Sequence, residues 1–425
     1  MFKKIVLVFV CTCAITFILS CNKEESEISK SIIWKNRISG KNLIFDDGIG
    51  YPIYNNTVVF HSTPQPWGAI RESILYGLDI DTGQEKWRLT NADFTPKKSL
   101  EFNNVDYYYQ KDNIIICADF QYNDSTKQTF MYAIDVEKGS VLWVKEFTKK
   151  GLQFGRMVRG RGNYAYVDFM KDDKEFSLIK INIATGDFSE VFKFTQTNIS
   201  ENNPEKQVNF DRMSEIYTDN IGNEYVALSI SGYNYNTNRF KAYMTLCVYN
   251  LTQNKIAYSN YVNSQTLAVD EWDEFYGRVT FHNGKLIIGK GRYFYCMDAY
   301  QDKGILWKYK TGSYGTDNAM QVFGYEDMAL GYTLDKLFAF DIKTGRKLYE
   351  TSTGSSTTAN IIDGILYQRD GSDFLMRDPR TGRELKRIST GVNEQAFSSS
   401  RPNGKDGKIF IHSYTDAYCI KAWGR

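Results

Sequence analysis

The chain has 425 residues, 42% of them hydrophobic and 24% charged, with a formal net charge of +2. That length and apolar content allow one large closed core. With 52 basic and 50 acidic residues, there is no surplus of the kind that a nucleic-acid-binding face concentrates.

Residues 1–20 read as an export signal peptide: Lys3 and Lys4 precede an apolar run of about 15 residues, too short for a membrane span. Ile18, Leu19 and Ser20 before Cys21 resemble a lipobox, which implies cleavage there and lipid (palmitate-type) attachment at Cys21. Residues 21–30 form a polar tether whose Asn22-Lys23-Glu24-Glu25-Ser26 suits either a flexible spacer or a short acidic address for the cell surface. The expectation is a lipoprotein of the outer membrane, anchored by its lipid alone, with the periplasmic or cell-surface side left open. Removing Lys3 and Lys4 with the leader brings the 52 basic residues to 50, level with the acidic ones.

From 31 to 425 the chain reads as one domain made of copies of a single unit. LYGLDIDTGQEKW (75–87) is followed by MYAIDVEKGSVLW (131–143), LIKINIATGDFSE (178–190) and LCVYNLTQNKIAY (246–258). FYCMDAYQDKGILW (294–307), LFAFDIKTGRKLY (337–349) and FLMRDPRTGRELK (374–386) complete the series. Within a copy, an alternating run, a Thr/Gly/Lys turn and a second short run make a hairpin. Two further runs joined by a tight turn precede most copies, giving four strands per unit. The anchors Asp79, Asp135, Asn182, Asn250, Asp298, Asp341 and Asp378 lie 56, 47, 68, 48, 43 and 37 residues apart, the spacing of propeller blades. IIWKNRISG (32–40) matches the second half of a unit and AYCIK (417–421) the first half, so together they supply one more. The predicted fold is all-β: an eight-bladed β-propeller of four-stranded antiparallel blades, closed by strand 32–40 pairing with the C-terminal hairpin, which leaves no exposed sheet edge.

Ala133, Asp135, Gly139 and Trp143 match the A-x-D-x-x-x-G-x-x-x-W docking motif, and on these residues the chain resembles the pyrroloquinoline-quinone (PQQ)-like β-propellers. Gly77 and Cys296 replace the Ala elsewhere, Tyr349 replaces the Trp, and copies three, four and seven have lost it. The resemblance implies that Trp34, Trp87, Trp143, Trp307 and Tyr349 dock neighbouring blades. This agrees with the area such rings bury and with an N–H that needs a partner. In plan the chain is also similar to the BamB-type lipoproteins of the barrel-assembly machinery, whose propeller holds partner proteins. The enzymatic members of the family use a quinone and calcium beneath two adjacent cysteines. This sequence has no Cys-Cys pair and no C-x-x-C-H haem site, so no cofactor, metal or catalytic residue is assigned.

The remaining polar clusters read as structural. Cys117, Cys247, Cys296 and Cys419 fall in strands and read as small buried hydrophobes. His61, His282 and His412 sit at similar places in different blades, away from the axis, in structural or solvent-facing roles. Arg156, Arg159 and Arg161 read as a solvated or carboxylate-paired surface, and Asp270, Glu271, Asp273 and Glu274 as a solvated acidic loop.

Function is expected on loops. The second-to-third strand loops and the interblade connections share one face. The long ones (61–73, 91–102, 119–129, 196–209, 231–242 and 259–275) fall mainly in blades 1–4. Trp67, Tyr122, Tyr233, Tyr235, Trp272 and Phe275 lie in them without core alternation, so they suit binding of an envelope protein or glycan, or else pack the loops onto the rim. The sequence therefore points to a monomeric, non-catalytic, lipid-anchored scaffold of the cell envelope. A degenerate quinone-dependent dehydrogenase or glycan-active propeller enzyme is the alternative.

Overall fold

A computed structural model describes residues 30–38, 51–62, 74–94, 108–120, 129–147, 152–171, 175–195, 207–234, 241–262, 278–312, 321–353, 359–371, 373–389, 401–413 and 415–424. They form eight antiparallel sheets arranged as the blades of a propeller. The innermost strands, in blade order, are Ile53–Tyr54, Tyr108–Lys111, Leu152–Arg161, Gln207–Met213, Arg278–His282, Gln321–Tyr325, Ala359–Ile362 and Asn403–Lys405. Those of blades 2 to 6 touch in succession around the axis, as do those of blades 7 and 8. The outermost strands alternate between exposed and partly buried residues, as in Ser140–Glu146. The middle strands are sandwiched between neighbouring blades and read as continuous apolar runs; Met328–Tyr332 is buried at all five positions.

The recurring aspartate makes each hairpin turn. Asp135 Oδ1 accepts the backbone N–H groups of Glu137 and Lys138 at 2.9 and 3.0 Å, and Oδ2 accepts from Asn113 at 2.9 Å. Asp341 repeats this with Lys343 and Thr344, and Asn182 with Ala184 and Thr185. A short side-chain acceptor stabilises a turn that would otherwise leave donors open. On the same face, Asn283-Gly284, Asp363-Gly364 and Asp406-Gly407 each have positive φ at both residues, the turn whose twist matches a β-hairpin.

Blade docking follows one rule. The indole N–H groups of Trp34, Trp87, Trp143 and Trp307 donate to the carbonyls of Ile80, Val136, Ile183 and Ile342 in the next blade, all at 2.9 Å. The Tyr349 hydroxyl donates to Pro379 at 2.7 Å. Beneath the ring, the turn glycine of the next blade makes room: a Cβ on Gly139 would lie 2.3 Å from Trp87, and one on Gly345 2.5 Å from Trp307. Two positions counted as lost from sequence keep the donor. Tyr258 donates to Asp298 of blade 5, and Lys386 Nζ to Ser31 Oγ at 2.8 Å. Cys296 and Cys419 lie opposite Trp307 and Trp34, the small positions expected.

The ring closes as expected. Strand Ile32–Arg37 pairs antiparallel with Asp416–Lys421, making the outer strand of blade 8. At this seam His61 of blade 1 and His412 of blade 8 come within electrostatic reach, with Tyr51 edge-on to His412 at 5.8 Å. His282 differs in place, ending the innermost strand of blade 5.

Burial, with a smaller contribution from His412, lowers the His61 pKa to about 3; burial also lowers that of His412 to about 4, outweighing its contact with the Ser413 carbonyl. An unfolded imidazole protonates near pH 6.5, so from there down to about 4 the unfolded chain binds protons that the folded one refuses. Stability is therefore expected to fall as pH falls through this window, by about 1.4 kcal/mol per pH unit for each histidine. Thermal melts at pH 7 and pH 5 should show a smaller drop for His61→Gln/His412→Gln than for the unaltered chain. Equal drops would assign the acid sensitivity to carboxylates.

Candidate functional site

Two regions stand out: the face away from the tight turns, and the propeller axis. On that face, blade 4 differs from the others. Strands Glu224–Asn234 and Lys241–Asn250 are paired over ten positions, where the equivalent strands of blade 6 are paired over five. Both pairings start beside the tight-turn face, so the extra five pairs carry blade 4 about 17 Å further at the opposite end. This corrects the expectation of loops over 231–242, 196–209 and 259–275. Strand continues through Asn234, begins again at Lys241 and Gln207, and runs on to Val262.

Tyr233 therefore lies on a strand, its backbone paired with Ala242 and Gln207, and not in a loop. Trp67, Tyr122, Tyr235, Trp272, Phe275 and Cys21 lie outside the described residues, as does the acidic run 270–274. The second-to-third strand connections of blades 5 to 8 are two or three residues long, against eleven and eight in blades 1 and 2. Blade 3 also has three, and the connection from blade 7 to blade 8, residues 389–402, is long; sequence reading passed over both.

At the axis, charged side chains of blades 3, 4 and 8 come within electrostatic reach of one another. Arg159 is two residues from the end of its innermost strand and Arg212 one residue from the end of the next. Arg401 precedes the innermost strand of blade 8. Blade 4 breaks its inner strand at residues 214–216, where the Ser214 hydroxyl accepts from Ala227 N–H at 2.9 Å. That break turns Glu215 towards blade 5, where Thr280 Oγ1 donates to its carboxylate at 3.0 Å and Phe281 N–H at 3.1 Å. Arg401 donates to Asn360 Oδ1 of blade 7 at 3.2 Å, and Asn360 in turn donates to the Pro402 carbonyl at 2.9 Å.

Desolvation lowers the Arg159 pKa; Glu215 opposes this, Arg212 and Arg401 add to it, and Asp168 opposes it weakly. Desolvation likewise lowers that of Arg401, against Glu215 and Tyr108 of blade 2. Blades 4 and 8 stand opposite each other in a ring of eight, so the influence of Glu215 on Arg401 acts across the axis.

Of the two arrangements expected of QFGRMVRGRGN, solvated or carboxylate-paired, Arg159 is within electrostatic reach of two carboxylates, Glu215 and Asp168. Arg161, at the turn end of the same strand, is the surface one, 3.1 Å from Glu224. Arginines also recur on the blade-initial strands, at Arg212 and Arg278 and just ahead of one at Arg401, which is the signal that sequence reading could have used.

Among the described residues no three His, Cys, Asp or Glu are grouped to hold a metal. Cys117, Cys247, Cys296 and Cys419 are free and buried in four different blades, with each thiol pushed up to about 12 by desolvation. A buried protonated thiol is a poor nucleophile.

The molecule is an eight-bladed β-propeller whose repeat residues are spent on turns and blade docking. Neither a family model nor a curated protein matches the sequence. Among solved structures, the Dos1 propeller is similar over 92% of this chain and 95% of its own, at 12% identity and TM-score 0.57. Quinohemoprotein alcohol dehydrogenase from Comamonas testosteroni is similar over 93% and 76%, at 9% identity and TM-score 0.59. Sqt1 from Chaetomium thermophilum, bound to the N-terminus of ribosomal protein L10, is similar over 92% and 100%, at 10% identity and TM-score 0.57. A propeller that binds a ribosomal protein and a dehydrogenase thus share this fold, and at these identities the likeness is one of fold alone.

Proposed function

We propose that this chain is a non-catalytic binding propeller, lipid-anchored through Cys21 to the outer membrane, that holds a protein partner of the cell envelope on the face opposite the tight turns. The observation that carries the reading is blade 4, whose middle strands pair over ten positions, against eight in blade 3 and six in blade 5. Pairing longer than that of either neighbouring blade offers a platform for contact. The solved Sqt1 complex supports the reading by precedent, since that propeller binds a peptide of L10. A glycan in place of a protein is the other ligand that the aromatic residues of the long connections would suit.

A photo-crosslinking residue in place of Tyr235, in intact cells, is expected to give discrete adducts, with protease shaving reporting the side of the membrane. Replacing Trp67, Tyr235 and Trp272 together with Ala should weaken partner capture at least several-fold, as loss of aromatic anchors does, with the melting temperature nearly unchanged. A collapse in stability would make these rings part of the rim packing, and unchanged capture would remove the site from this face.

A further inference from the structure

The interface between blades 6 and 7 departs from the apolar pattern of the repeat. Phe323, Tyr332, Leu337 and Ala339 of blade 6 pack there against Ala359 and Leu366 of blade 7. Arg377 stands opposite Leu366 on the neighbouring strand, and Gln368 lies two residues beyond Leu366. Both side chains therefore take this same face, as diagonal neighbours. In six other copies the residue before the hairpin Asp or Asn is Leu78, Ile134, Ile181, Tyr249, Met297 or Phe340, where blade 7 has Arg377. Val167, Leu228, Ile288 and Ile411 stand at the register of Gln368. Two positions that hold apolar or aromatic side chains in those blades thus bury an amide and a guanidinium in one interface.

Their hydrogen bonds are incomplete. The Tyr332 hydroxyl donates to Gln368 Oε1 across the interface. Arg377 Nη1 donates to the Gly382 carbonyl at 2.9 Å and to Thr351 Oγ1 at 3.4 Å, and Nη2 to the Ser352 carbonyl at 3.0 Å, all neutral acceptors. Gln368 Nε2, Arg377 Nε and the hydroxyl of Thr353, two residues past Thr351, have no hydrogen-bond partner among the described residues. Gln368 and Thr353 are fully buried, and Arg377 is 5% exposed. Amide and guanidinium nitrogens only donate, so these two cannot satisfy each other. They match an acceptor, and since the guanidinium keeps its charge beside neutral oxygens, an acceptor with a negative charge matches best. Burial between packed strands favours a small ligand, and one guanidinium balances one charge.

We infer that Gln368, Arg377 and Thr353 bind a small monovalent anion, of about chloride size, between blades 6 and 7. The ion accepts from Gln368 Nε2, Arg377 Nε and Thr353 Oγ1, and so ties the two blades together. It needs no partner protein, so its test is independent of the reading above.

Thermal melts of the whole chain at one ionic strength, with sodium chloride progressively replacing sodium gluconate, are expected to show a saturable rise in Tm, as a ligand of the folded state gives. Gln368→Glu sets a carboxylate oxygen where the amide nitrogen stands and keeps an acceptor for Tyr332. Its Tm should no longer differ between the two salts. Gln368→Leu, which restores an apolar residue, should also lose the difference and serves if the glutamate variant does not fold. Lys343→Gln, on an exposed turn, should keep it. Crystals of the unaltered protein grown in bromide should give an anomalous peak in contact with Arg377 Nε and Gln368 Nε2. The inference is overturned if the two salts give the same Tm, or if the difference survives unchanged in the Gln368 variants. A water between the blades with no anomalous signal, or bromide at other places alone, overturns it as well.

Discussion

Replacing Trp307 with Ala is expected to destabilise the propeller by about 3–5 kcal/mol. The ring is buried between blades 5 and 6, 5.5 Å from Phe340 between centroids, and sits on Gly345. Its removal leaves a cavity at that interface and strips the Ile342 carbonyl of its donor at 2.9 Å. Trp307→Tyr is expected to lose less, because Tyr349 shows that a phenol can reach the next blade's carbonyl. Leu306→Ala, next in the chain and facing outward at 38% exposure, is the control and should change little. Denaturant midpoints read the outcome, and a loss below about 1 kcal/mol for Trp307→Ala, the range of a surface change, would mean that the blades are held by strand-face packing alone.

Deleting residues 32–37 is expected to do more damage than any single docking variant. The strand supplies the outer edge of blade 8, the Trp34 bond to Ile80 and a 2.7 Å bond from Asn36 to the Gly83 carbonyl. Without it, Asp416–Lys421 becomes an open edge, and open edges recruit other strands. Light scattering should then show oligomers in place of a monomer, with a lowered Tm. A synthetic peptide of residues 31–38 should restore the monomer by strand addition. A monodisperse truncated protein with unaltered Tm would show that the ring does not depend on this closure.

The fold was readable because its chemistry is local. One aspartate tying a turn, one glycine under a ring and one donor at the end of a strand recur within thirteen residues, and the two half-units at the ends could only belong together. Tyr258 and Lys386 were missed because residue identity was followed where donor capacity is what recurs. The long pairing in blade 4 was read as loop because SGYNYNTNRF carries no apolar alternation, the pattern by which a half-buried strand is recognised. The difference between Arg159 and Arg161 was not legible for another reason. Alternation tells which side of a strand a residue takes and says nothing of its depth along the axis, so Arg159 and Arg161 look equivalent two residues apart.

The closing strand also carries an order of assembly. Trp34 and Asn36 reach blade 1 across 46 and 47 positions of chain, while Ile32 pairs with Ile420, 388 positions on. Closing the longer loop costs more entropy and has to wait for the C-terminal hairpin, which synthesis delivers last. The contacts of Trp34 and Asn36 with blade 1 therefore cost less loop entropy than the pairing of the same strand in its own sheet, so the strand is expected to dock on blade 1 first and to offer the final hairpin a prepared edge.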